Sequence, residues 1–296
     1  MRKVECLHFR TGYDSVLFVI YLIVSVCIPV FNYYVFTGVF NYPVTFTSIQ
    51  FVFCSLSALV WNIFLKPSEH HKHVNTKVTV KKDFAAKALL FILPGIIMGA
   101  NVSMNNLGLA KTSATLSILV KGTSNIWTVL FDFLFFKVKV SWKAIVMIIF
   151  ILGGQACIAI SSFYSNPVRP DQVQAIIMLC VSALTSSIYS VFIKESQIFL
   201  KKRNIHVHPT ETAFFIMGYA SLVMIVLSLI IELQGWPDLF HNFTPLSNMI
   251  LVTLLGGCVM TTGDKLAGIF LTMRNSLVDW SIIADSKQFP RSSLTF

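Results

Sequence analysis

The chain has 296 residues, of which 55% are hydrophobic and 12% are charged, and its formal net charge at pH 7 is +10. Soluble domains carry about 25% charged residues, so a chain with half of that share cannot keep most of its surface in water. The composition therefore excludes an ordinary soluble domain and indicates that lipid surrounds most of the chain.

Long apolar runs recur along the sequence, and short segments between them hold nearly all of the charge. A helix needs about 20 mostly apolar residues to cross a bilayer, and it leaves no backbone polar group unpaired in the hydrocarbon. We therefore predict an all-α membrane protein, a polytopic bundle with about nine transmembrane helices. In chain order the predicted spans are Ser15–Phe36, Val44–Leu65, Phe84–Leu107, Thr112–Phe136, Trp142–Phe163, Gln172–Ile193, Thr210–Ile231, Asn248–Leu271 and Asn275–Phe289.

Lysine and arginine are distributed very unequally between the two ends of these spans. The N-terminus and the loops after the even-numbered spans hold about 17 of them, whereas the opposite loops hold only Lys111 and Arg169. This asymmetry predicts a cytosolic N-terminus. It also accounts for the basic net charge without nucleic acid, because the loops are too short to fold into a domain with a basic face.

Transporters are often built from inverted repeats, and an odd number of helices per repeat inverts the second copy. We predict two five-helix repeats, residues 1–165 and an incomplete copy at 166–289, followed by an irregular tail at 290–296. Each half contains a polar helix with a lysine, Lys121 in the fourth span and Lys287 in the ninth. Proline at position 290 would break the ninth helix, and we expect no tenth helix in the residues that follow.

Lys121 is the most informative residue of the sequence. A lysine at the centre of a membrane costs about 2.5–3.5 kcal/mol on insertion, so it faces a partner or a water-filled cavity. Asp132 is the only acid in the same span and lies about three turns away, near the membrane surface. We therefore expect Lys121 to line a substrate cavity. For the adjacent residues Asp264 and Lys265 in the eighth span, a structural ion pair and a cavity role are both open.

Four segments carry a family likeness: residues 40–50 (FNYPVTFTSIQ), 101–121, 183–194 (ALTSSIYSVFIK) and 270–287. In this order they resemble the nucleotide-sugar transporter and triose-phosphate translocator group of the drug/metabolite transporter superfamily. The resemblance implies ten helices in two inverted five-helix repeats with cytosolic termini. Residues 215–218 read FIMG where the GDP-mannose branch has F-Y-N-N, which disfavours GDP-mannose as the cargo.

The resemblance also implies a set of substrate-binding residues. In the family, basic residues of the fourth and ninth helices hold the phosphates of the cargo, and these positions correspond to Lys121 and Lys287. A cation is the natural partner of phosphate inside a membrane. Trp280 falls where an aromatic side chain packs near the sugar or ribose, and Lys265 and Tyr189 complete the candidate set.

We therefore predict a secondary transporter, an antiporter that moves a nucleotide-sugar across the Golgi or endoplasmic reticulum membrane in exchange for nucleoside monophosphate. A phosphorylated-sugar or organic-phosphate translocator and a truncated, non-transporting scaffold or regulatory subunit stay open as alternatives. The motifs H-E-x-x-H, G-x-S-x-G and the P-loop do not occur, so we predict no enzyme, and we predict no metal or cofactor. Membrane lipid is the expected surrounding, and a homodimer is one open oligomeric state.

Overall fold

The structure is a computed structural model that describes residues 12–65, 77–136, 170–203, 205 and 207–274, with further helical residues between 142 and 157. Within these residues the chain is helical and contains no strand. Eight α-helices have defined bounds: α1 Gly12–Tyr34, α2 Pro43–Val60, α3 Lys77–Lys111, α4 Ala114–Gly122, α5 Ser124–Phe136, α6 Pro170–Lys202, α7 Pro209–Ile231 and α8 Trp236–Arg274. Short π-helical turns extend α1 over Val35–Val39 and α2 over Trp61–Leu65.

Most of the predicted spans are confirmed. In the described part of the chain, six helical segments are long and apolar enough to cross a membrane: Pro43–Phe64, Asp83–Lys111, Leu116–Phe135, Gln172–Leu200, Pro209–Ile231 and Met249–Ile269. They correspond to the second, third, fourth, sixth, seventh and eighth predicted spans. The first predicted span coincides with α1, which contributes to the shorter apolar stretch Ile23–Val39. Half of the fifth predicted span and all of the ninth lie outside the described residues. The chain is thus an all-α polytopic membrane protein.

Two connections differ from the prediction. The sixth span continues past Ile193 as helix α6, and α8 begins at Trp236, well before the predicted start at Asn248. Hydropathy marks where a helix becomes apolar, whereas a helix continues into polar sequence as long as its backbone hydrogen bonds are made. Helices α7 and α8 are therefore connected only by Glu232 and the short 3₁₀ turn Leu233–Gly235.

Helix α3 lies at the centre of the described bundle, packed against α6 and α7, while α2 packs on α7 and α8, and α1 on α8. Two glycines bring α3 and α7 close together. A Cβ atom added to Gly95 would collide with the Cβ of Tyr219, and one added to Gly99 would lie 2.8 Å from the carbonyl oxygen of Ala220. In lipid the hydrophobic effect does not drive helices together, so their association depends on close packing. Small residues such as these glycines allow that close packing.

The fourth span is not one continuous helix, because α4 ends at Gly122 and α5 begins at Ser124. At the break, the backbone N–H of Thr123 donates to the carbonyl of Val120 at 3.1 Å, and its hydroxyl donates to the same oxygen at 2.7 Å. The hydroxyl of Ser187 in α6 donates to the carbonyl of Ser124 at 2.7 Å. Hydroxyl groups thus satisfy carbonyls at the break, which is how interrupted helices are tolerated inside a membrane.

Glu232, at the end of α7, is bound to the start of α2. Its two carboxylate oxygens accept the backbone N–H groups of Val44 at 2.9 Å and Thr45 at 2.7 Å, and the Thr45 hydroxyl donates at 2.5 Å. The first helical position of α2 is Pro43, which has no N–H to satisfy. A buried carboxylate at a helix N-terminus is stabilised by the unpaired N–H groups and the helix dipole.

Candidate functional site

A cavity opens inside the bundle between helices α1, α3, α6, α7 and α8, with an empty volume of about 510 Å³ including its mouth. The polar part of the wall consists of Tyr21, Tyr189, Ser190, Asp264 and Lys265, and the apolar part consists of Met98, Ile193, Met217 and Ile269, with Gly268 beside them. The wall therefore combines an apolar surface with a few polar groups that could orient a ligand.

Asp264 and Lys265 form an ion pair in the wall of this cavity. The ammonium nitrogen of Lys265 lies 2.9 Å from a carboxylate oxygen of Asp264. The other carboxylate oxygen accepts a hydrogen bond from the hydroxyl of Ser25 in α1. The two residues are therefore paired with each other and also line the cavity, which is compatible with both interpretations left open by the sequence.

Lys121 occupies the last turn of α4, immediately before the helix break. Its side chain is exposed although the residue lies within the span Leu116–Phe135. It interacts electrostatically with Lys265 and Asp264, two residues that line the cavity. Among the described residues it has no hydrogen-bond or ion-pair partner, and the side chain of Asp132 lies outside them.

The structure thus brings three of the five sequence-predicted residues towards one region. Lys265 and Tyr189 line the cavity, and Lys121 lies within electrostatic range of Lys265. Lys287 and Trp280 lie outside the described residues.

Sequence reasoning missed the contribution of α1. Tyr21 lines the cavity and Ser25 hydrogen-bonds to Asp264. The signal was available, because residues four apart share one face of a helix and these two polar side chains interrupt an otherwise apolar run. Ser190 of α6, which also lines the cavity, follows directly after the predicted residue Tyr189.

The charges around the cavity suit an anion. Two ammonium groups and one carboxylate lie within electrostatic range of one another. Charges in a low-dielectric interior interact more strongly than in water, so an anionic ligand there would be attracted chiefly by the lysines. Charge-assisted hydrogen bonds from ammonium groups are well suited to phosphate oxygens.

Comparison with known families gives one match, which covers most of the chain. The model of the Triose-phosphate Transporter family matches residues 14–286. Comparison with curated proteins finds no significant match. The family consists of transporters and lies within the drug/metabolite transporter superfamily, so the predicted resemblance is confirmed at the level of the family. The chain, a multi-pass membrane protein, therefore belongs to the triose-phosphate transporter family.

Proposed function

We propose that the chain is an antiporter that moves a nucleotide-sugar across the Golgi or endoplasmic reticulum membrane in exchange for nucleoside monophosphate. The phosphate groups bind at Lys121 and Lys265, with Lys287 as a further cation. The observation that carries the proposal is the exposed side chain of Lys121 inside a membrane span, within electrostatic range of two cavity-lining residues and without an ion-pair partner among the described residues.

A lysine in this position needs compensation for its insertion cost. Inside a membrane, ionisable residues usually face a bundle interior or a water-filled cavity and mark substrate pathways. A phosphate group bound between Lys121 and Lys265 offsets the repulsion between these two cations, which lie within electrostatic range of each other. The bound anion thereby stabilises the charged site that lipid alone would destabilise.

The helix break beside Lys121 supports a transport mechanism. In many secondary transporters the substrate site is formed by discontinuous helices near the interface of two repeats. Here α4 ends one residue after Lys121, and the first repeat contacts the second through the packing of α4 and α5 on α6. A change in the angle of α4 would therefore move the lysine relative to the cavity wall, as alternating access requires.

The wall composition favours a second candidate cargo, a phosphorylated sugar. The lining residues include Met217 from the segment that carries amides in the GDP-mannose branch, and no Asn or Gln is among them. Amide side chains are typical partners of adenine, and in their absence from this lining a nucleobase could be read only by Ser190, Asp264 and Lys265. A phosphorylated sugar needs only the cations and hydroxyl-bearing side chains that the wall provides.

A counterflow assay separates these cargoes. The full chain would be purified, reconstituted into liposomes and preloaded with nucleoside monophosphate or with inorganic phosphate. Uptake would then be measured for a panel of labelled nucleotide-sugars and sugar phosphates. The antiporter proposal requires uptake of one nucleotide-sugar that depends on internal nucleoside monophosphate. Uptake of sugar phosphates alone would favour the second candidate, and no uptake of any anion would contradict both.

The variant Lys121→Gln tests the role of the ammonium group inside this membrane span. Exchange should fall at least about tenfold, because the amide cannot replace a charge-assisted contact to phosphate, while membrane insertion stays intact. The matched control is Lys111→Gln, which removes an exposed lysine from the last turn of α3. Its exchange rate should equal that of the natural chain. Unchanged uptake in Lys121→Gln would remove this mechanism.

A further inference from the structure

Asp264 is a buried acid in the wall of a cavity whose two nearby lysines suit an anion. Its side chain is 9% exposed, and one of its carboxylate oxygens lies 2.9 Å from the ammonium nitrogen of Lys265. Of the described residues that line the cavity or interact electrostatically with Lys121, it is the only acid. The proposed function uses the two lysines and leaves the acid without a role.

Separating Asp264 from Lys265 is unfavourable unless the ligand replaces both partners. A buried charge that loses its counter-ion is costly, because the interior solvates it less well than water does. A ligand that carries only phosphate gives Lys265 a new partner but repels Asp264. A ligand that also carries an ammonium group gives the acid a cation in place of the lysine. The Ser25 hydroxyl donates to the other carboxylate oxygen and keeps the acid in place during this exchange.

The formal charges of the site favour the same kind of ligand. The ammonium groups of Lys121 and Lys265 and the carboxylate of Asp264 give the described part of the site a net charge of +1. At neutral pH a phosphate ester with one ammonium group has a net charge of about −1, which balances the site, whereas a plain phosphate ester at about −2 leaves an excess negative charge. Uncompensated charge is unfavourable in a low-dielectric interior.

The wall beside Asp264 also contains the other groups that attract an ammonium ion. Tyr21 of α1 and Tyr189 of α6 line the same cavity. Tyrosine rings attract a cation that lies against their face, and the attraction is stronger where water is excluded. Met98 and Met217 add polarisable surface to the wall and no charge that would repel a cation.

We propose that the cargo is a phosphate ester that also carries a primary ammonium group. Its phosphate binds between Lys121 and Lys265, and its ammonium group binds at Asp264. The inference rests on the proposed function and specifies the chemical class of the cargo. An amino-sugar phosphate and a nucleotide linked to an amino sugar share this chemistry. Asp264 is then a specificity-determining residue, because it repels esters that bring no cation.

The first test compares two esters of nearly equal size, 2-aminoethyl phosphate and 2-hydroxyethyl phosphate. They differ only in the amino group, which is protonated at neutral pH as the lysine side chain is. Binding would be measured as ligand-induced thermal stabilisation of the purified full chain in detergent. The natural chain should bind 2-aminoethyl phosphate at least about tenfold more tightly, because only this ester gives Asp264 a new cation.

The variant Asp264→Asn should reverse this preference. The amide has nearly the same size but no charge, so it does not attract the ammonium group, and the two lysines then favour the more highly charged 2-hydroxyethyl phosphate by about threefold or more. Asp264→Glu should keep the preference of the natural chain. The matched control is Glu211→Gln, which breaks the 2.7 Å ion pair with Lys87 outside the cavity and should leave the ratio of affinities unchanged.

A counterflow assay of the full chain in liposomes separates the two sources of this chemistry. One arm compares glucosamine 6-phosphate with glucose 6-phosphate, and the other compares UDP-glucosamine with UDP-glucose. Faster uptake of the amino form in either arm supports the inference and identifies the source. Equal uptake within both pairs, or faster uptake of the hydroxyl forms, would overturn it.

A purely structural role of Asp264 would lower the stability of Asp264→Asn without reversing the preference, and that result would also overturn the inference. The natural chain tests it even if the variant does not fold. Equal or weaker binding of 2-aminoethyl phosphate by the natural chain would overturn it, while binding and exchange of other phosphate esters would leave the proposed function standing. Failure to bind any phosphate ester, together with no counterflow, would overturn the proposed function and this inference with it.

Discussion

At the scale of single residues, the structure contains a second buried carboxylate with a different role. Glu232 is 8% exposed and is held by two backbone N–H groups and a threonine hydroxyl at the start of α2. Its charge is compensated by a helix N-terminus, whereas the charge of Asp264 is compensated by an ammonium group. One acid joins two helices, and the other lies in a cavity wall.

We expect Glu232→Gln to destabilise the protein by about 1–3 kcal/mol, because an amide presents one acceptor oxygen and leaves a buried N–H of α2 unpaired. The melting temperature of the purified chain should fall by a few degrees. Glu195→Gln is the matched control, since Glu195 is an exposed acid on α6. Equal melting temperatures for the two variants would show that the carboxylate of Glu232 does not hold the start of α2.

The site residues that could be predicted are those whose placement inside the membrane is costly on its own. A lysine inside an apolar run, such as Lys121 or Lys265, is unusual whatever surrounds it. The hydrogen bond between Ser25 and Asp264 joins residues 239 positions apart, and nothing in either segment identifies the other as its partner. The sequence therefore indicates which groups need compensation, but the packing of the helices decides what compensates them.

At the scale of helices, the apolar runs predict where the chain crosses the membrane but not where a helix is interrupted. A run such as 112–136 has the length and composition of one span, yet it contains the break between α4 and α5. The break is stabilised by Ser187, which belongs to a different helix. The residues Gly122, Thr123 and Ser124 are a local signal for a kink, since small and hydroxyl residues often lie at such points.

The contact between α3 and α7 gives a prediction at this scale. In Gly99→Ala the new methyl group would lie 2.8 Å from the backbone oxygen of Ala220, so the two helices must move apart. We expect a loss of stability of about 1–3 kcal/mol, as is usual for overpacking, measured as a lower melting temperature. The matched control is Gly256→Ala in α8, where an added Cβ meets no atom within 4 Å.

The control should be neutral or stabilising by up to about 1 kcal/mol, because alanine has the higher helix propensity. If Gly99→Ala had the same melting temperature as Gly256→Ala, the close approach of the two backbones would not contribute to the packing of α3 against α7.

At the scale of the whole molecule, the two predicted repeats contact each other on both sides of the cavity. At one end the start of α2 is bound to the end of α7 through Glu232, and the hydroxyl of Tyr42 donates to the carbonyl of Gly235 at 2.6 Å. At the other end Lys87 of α3 pairs with Glu211 of α7 at 2.7 Å. The charge distribution predicts that the second of these ends is cytosolic. Alternating access requires that such contacts open at one end at a time.

A cross-link at the end of the bundle where Tyr42 contacts Gly235 should therefore stop transport. Cysteines at positions 42 and 235 would be introduced after the six native cysteines are replaced. A bismaleimide about as long as a tyrosine side chain would then join them, since the Tyr42 side chain spans this distance in the structure. Exchange should fall to background in the cross-linked chain, because this end can no longer open. The two single-cysteine variants treated with the same reagent should exchange normally. Full exchange by the cross-linked chain would show that the contact between Tyr42 and Gly235 stays closed throughout the cycle, and that the cargo passes by a movement elsewhere in the bundle.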